Sequence, residues 1–79
     1  MNKTIPLSRL PAGHSARVVN ITAKPEICLR LRELGLTNGT KITVRFRSML
    51  GDPTAYEIRG VLLAIRKQDA KYILVEELL

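Results

Sequence analysis

The stretch PEICLRLRELGLTNGT, residues 25–40, decides how the chain folds, because it reads as one short helix closed by two successive glycine-dependent turns. Ile27, Leu31 and Leu34 recur at i, i+4 and i+7 with Cys28 beside them, which predicts one apolar stripe facing a core. Arg30, Arg32 and Glu33 fall largely on other faces. Pro25 suits the first turn, where its missing N–H has no helical partner to lose. Gly35 follows the last periodic leucine, where a chain leaving a helix often needs positive φ, and Asn38-Gly39 adds a tight-turn dipeptide. The expectation is a helix of about two to three turns, ended by backbone chemistry.

Downstream, residues 41–47 (KITVRFR) alternate without error, predicting a strand with Ile42, Val44 and Phe46 inward and Lys41, Thr43, Arg45 and Arg47 outward. Residues 49–53 read as a loop, and Tyr56 and Ile58 point inward on the next strand, which Gly60 ends. Residues 61–66 form a fourth strand, 67–70 a short turn, and 72–76 a fifth strand closing onto the first. Facing residues share one side of a sheet, so Val44 is expected opposite Ile58, Phe46 opposite Tyr56 and Arg45 opposite Glu57, with an odd number of loop residues between. Arg47 and Arg59 then lack an opposing acid and, with Lys41, leave a basic outward face. Upstream, residues 15–23 supply the first strand through Ala16, Val18 and Ile21, with a bulge near Asn20 where alternation slips. Residues 1–4 are a polar start, and the prolines in 5–11 (IPLSRLP) mark a capping segment rather than a regular element. The sum is a mainly β fold: a small five-stranded SH3-like barrel with one short α-helix inserted between the first two strands, as a single domain over residues 1–79.

Composition narrows function. The net charge of +6 and pI near 10.1 favour anionic surroundings: nucleic acid, an acidic protein face or a lipid surface. A single cysteine excludes an internal disulfide and a multi-thiolate zinc site, and fits a reducing compartment. The longest apolar run, residues 61–65, is far short of the roughly 20 residues a helix needs to cross a bilayer. With no signal peptide visible, a soluble, cytoplasmic chain is expected.

The ordered set RLRELGL (30–36), Gly39-Thr40, LGDP (50–53), Gly60, LAIR (63–66) and Ala70 closely resembles the FeoA family of ferrous iron transport accessory proteins, over about residues 7–75. The resemblance implies a cytosolic SH3-like protein that associates peripherally with a membrane ferrous iron transporter bearing a GTP-binding domain. The family turn usually carries Pro before the glycine, where this chain has Asn38. A similar module ends metal-dependent repressors, but no helix-turn-helix segment is present here.

The chemistry points away from catalysis. A ferrous site wants several histidine, carboxylate or thiolate ligands converging, yet His14 and Cys28 are the only histidine and cysteine, so no metal site and no cofactor are expected. His14 reads as an exposed loop imidazole, Cys28 as a buried unreactive thiol and Asp52 as a turn residue bonding its own backbone. No phosphate cradle, nucleophile elbow or acid/base pair appears, so the chain is read as no enzyme. An interaction surface remains: Arg47, Met49, Leu50, Gly51, Asp52 and Pro53 around the hairpin tip, with Leu29 and Arg32 on the helix. The alternative is an SH3-like nucleic-acid-binding or metal-regulator-type module; inward Phe46 and Tyr56 would leave nucleic acid no stacking platform.

Overall fold

The computed structural model describes residues 3–78, so the first two residues of the polar start lie outside it. Helix α1, Pro25–Glu33, opens on Pro25 and stops where Gly35 takes φ +98°. There the N–H of Leu36 donates to the Leu31 carbonyl at 3.0 Å and that of Gly35 to the Arg32 carbonyl at 2.9 Å. These crossed bonds satisfy carbonyls that the helix end would leave unpaired. Leu31 is buried and Ile27 packs against the core, but Leu34, expected in the stripe, is 46% exposed. Leu34 caps the helix, the chain turns away at Gly35, and the fully buried Leu36 takes the core position instead. Cys28 is only half-buried, its Sγ donating to the Ala23 carbonyl at 3.2 Å.

The strands are β1 (Thr4–Pro6), β2 (Ser15–Ile21), β3 (Lys41–Arg47), β4 (Thr54–Ile58), β5 (Val61–Ile65) and β6 (Ile73–Glu77), in one antiparallel six-stranded sheet ordered β1-β6-β2-β3-β4-β5. The last strand lies on the first long one, β2, whose register shifts between Val18 and Asn20 as the slipped alternation predicts. The sixth strand corrects the expectation of five: Thr4–Pro6, read as part of an irregular lead-in, pairs with β6 at the sheet edge. Proline is tolerated there because an edge position asks for fewer N–H donors. The rest of that segment does more than cap. Leu7, which opens a 3₁₀ turn (Leu7–Arg9), and Leu10, which follows it, are fully buried in one core with Tyr56, Ile42, Val44, Ile73 and Val75. Residues 67–70, expected as a turn, wind into the short helix α2, Lys67–Ala70, which adds buried Ala70.

The β3–β4 register differs from expectation. Val44 faces Tyr56, Thr43 faces Glu57, Phe46 faces Ala55 and Arg47 faces Thr54, with a register shift between Val44 and Phe46. The loop, residues 48–53, is therefore even in length. Arg45 is the extra residue of a bulge, so side chains beyond it swap faces. Phe46 turns outward and is 58% exposed, while the Arg47 guanidinium turns in towards the Leu10 carbonyl. A buried carbonyl that needs a donor explains the exchange.

Candidate partner-binding surface

The loop between β3 and β4 is fastened on both flanks. Before it, Arg47 Nη2 donates to the Leu10 carbonyl at 2.6 Å and Nη1 to Thr54 Oγ1 at 3.1 Å. After it, Asp52 Oδ1 accepts the Lys67 N–H at 2.9 Å, bonding the start of α2 rather than its own backbone. Within it, the Ser48 N–H donates to the Pro53 carbonyl and the Gly51 N–H to the Ser48 carbonyl, at 3.1 and 2.8 Å. Arg47, Gly51, Asp52 and Pro53 thus build a mount, and Met49 and Leu50 stand on it 101% and 95% exposed. Apolar side chains held out on a fastened loop gain nothing for folding.

Phe46 extends this tip onto the sheet. Ladder pairing sets it beside Ala55 and Ala55 beside Ala64, with Leu62, 56% exposed, opposite Glu57. Arg45 reaches Glu57 from the bulge, Nε to Oε1 at 2.6 Å, although the two are not ladder partners. An exposed pair of this kind contributes only about 0.2–1 kcal/mol. Below this face Tyr56 is buried, which pushes its phenol above the ordinary value of 10.0 while the Arg47 charge opposes the shift.

Phe46 is the residue that sequence reasoning missed. Residues 41–47 alternate perfectly and hold no mark of the bulge; the contact that goes with the observed register, Arg47 to the Leu10 carbonyl, joins residues far apart in sequence. The stacking argument against nucleic acid consequently rests on Tyr56 rather than on both aromatics. Leu29, 59% exposed, and Arg32 stand on α1, which shares no hydrogen bond with residues 48–53 among those described. His14 is half-exposed and paired through Nδ1 with Glu77 Oε2. Among the described residues, no group of three or more histidine, cysteine, aspartate or glutamate side chains is placed to hold a metal ion, and no helix is long and apolar enough to cross a membrane.

Residues 5–77 match the FeoA domain family. An Fe(2+) transport protein A/Fe(2+) transporter FeoB fusion protein of Porphyromonas gingivalis is 34% identical over 70 residues, covering 89% of this chain and 8% of the fusion protein. The chain therefore spans a small part of that relative's length. The solution structure of FeoA from Chlorobium tepidum superposes with a TM-score of 0.89 at 39% identity, over 95% of this chain and 71% of that one. FeoA from Stenotrophomonas maltophilia, a prokaryotic SH3 domain protein solved with zinc, gives 0.77 at 30% identity, over 95% and 88%. The open six-stranded sheet is thus an SH3-like fold.

Proposed function

We propose that this chain, which belongs to the FeoA family of ferrous iron transport, is a non-enzymatic cytoplasmic accessory that docks its hairpin tip on the cytosolic, GTP-binding part of the membrane ferrous iron transporter. The observation that carries the reading is Met49 and Leu50, wholly exposed on a loop fastened at both ends. A pinned apolar tip loses little side-chain and loop entropy on binding, which favours association. The fusion of an FeoA-type segment with the transporter in one relative supports the choice of partner, because fused segments share one chain at high effective concentration.

The test is titration of the transporter's cytosolic region with the parent chain, Met49→Ser and Leu50→Ser at two ionic strengths. Both variants should bind at least about fivefold more weakly at either salt concentration, since removing an anchor typically costs more than about 1 kcal/mol and an apolar contact is not screened. Their melting should stay within about 0.5 kcal/mol of the parent's. Parental affinity in both variants would remove this loop as the interface, and attention would pass to Leu29 and Arg32.

A further inference from the structure

The outer face carries a second feature, separate from the apolar tip. Arg17 on β2, Lys41 opening β3, Arg45 at the bulge and Arg59 in the β4–β5 turn line one open groove of about 460 Å³, with Glu57 as its carboxylate. Four cationic side chains against one acid leave a formal surplus of three positive charges, and Glu57 is already held by Arg45 at 2.6 Å. Arg17 Nη1 is oriented by the Gly39 carbonyl at 3.0 Å, whereas the side chains of Lys41 and Arg59 make no hydrogen bond or ion pair among the described residues.

Two local rules are broken to bring these charges together. Arg17 stands directly opposite Lys41 in the β2–β3 ladder, a like-charge pairing that opposes sheet formation. Glu76 flanks Arg17 from β6 but does not line the groove. Arg59 adopts φ +52° in the two-residue turn before Gly60, where asparagine, aspartate or glycine is the usual resident. Independent penalties that converge on one groove mark a site kept for something other than stability.

We propose that this groove binds a phosphate-bearing anion of more than one charge, either a free diphosphate-type group or the phosphate of a lipid headgroup. Guanidinium forks and an ammonium group match phosphate oxygens, and one such anion neutralises most of the surplus at once, where a single carboxylate would not. No aromatic side chain lines the groove, so recognition rests on the phosphate and not on a stacked base. The inference is independent of the transporter reading, whose apolar tip lies outside the groove.

The test is an amide NMR titration of the full chain with pyrophosphate, beside flotation with phosphatidylcholine vesicles containing phosphatidic acid. Arg59→Gly and Lys41→Gln are the variants; glycine suits the positive φ, so Arg59→Gly should fold at least as well as the parent. Saturable shifts at Gly39, Lys41 and Gly60, weakened about tenfold or more in each variant and reduced by salt, would support a free phosphate ligand. Capture by the phosphatidic acid vesicles alone, lost in both variants, would support the lipid-borne one. Unsaturable shifts spread over every cationic residue, parental binding by both variants, preference for a polyglutamate peptide over both phosphate probes, or no response to either probe would overturn the proposal.

Discussion

Tyr56 is 1% exposed, and burial holds its phenol above the ordinary value of 10.0. The unfolded chain therefore releases this proton first as pH rises, and binds fewer protons than the folded chain does in that window. Stability from this group is complete below pH ~10 and is lost as pH climbs from there through the raised folded value. Tyr56→Phe removes that contribution, so urea midpoints measured between pH 8 and roughly 11 should fall less steeply in the variant. Parallel curves would show that Tyr56 ionises alike in both states. Two leucines give a sharper contrast. Leu36→Ala should destabilise by about 2–5 kcal/mol because the side chain is fully buried, whereas Leu34→Ala, at 46% exposure, should cost about 1 kcal/mol or less. Denaturant melts of the pair decide it, and similar losses would mean that the helix stripe continues through Leu34. Arg47 cannot serve as a clean binding probe: reversing its charge would break its bonds to the Leu10 carbonyl and Thr54 Oγ1.

Helix α1 ends by a mechanism that one substitution tests. A Cβ at Gly35 would meet only Ile58 Cγ2, at 4.0 Å, so space is available and the cost of Gly35→Ala lies in φ +98° itself. A loss of about 1–2 kcal/mol in thermal or denaturant melting is expected, and a neutral variant would mean the backbone relaxes away from the left-handed region. That helix end was legible because Gly35 is a local signal, as was the bulge beside Asn20, where alternation visibly slips. The bulge at Arg45 left no such trace. The expected register would also bury Phe46, and the observed one instead lets Arg47 reach back to the Leu10 carbonyl, a contact between residues far apart in sequence. The lead-in was obscured for a related reason: its prolines hide a three-residue edge strand, and periodicity over so short a run cannot reveal that Leu7 and Leu10 fill the core.

At the scale of the whole molecule, the same bulge links packing to the proposed interface. It turns Arg47 in to serve the Leu10 carbonyl and turns Phe46 out, beside Ala55 and Ala64 and three residues before Met49. The hairpin tip was legible in the sequence because apolar residues in a loop are conspicuous. Its extension onto the sheet was not, because Phe46 sits in an inward position of a flawless alternation. The measurement that bears most directly on this account takes melting and affinity for the transporter's cytosolic region from one preparation of Phe46→Ser. A side chain 58% exposed should cost about 1 kcal/mol or less in stability, against about 3–5 for a buried phenylalanine, while affinity falls at least about fivefold. A collapse in stability would return Phe46 to the core, and parental affinity with parental stability would separate the outward face from the partner.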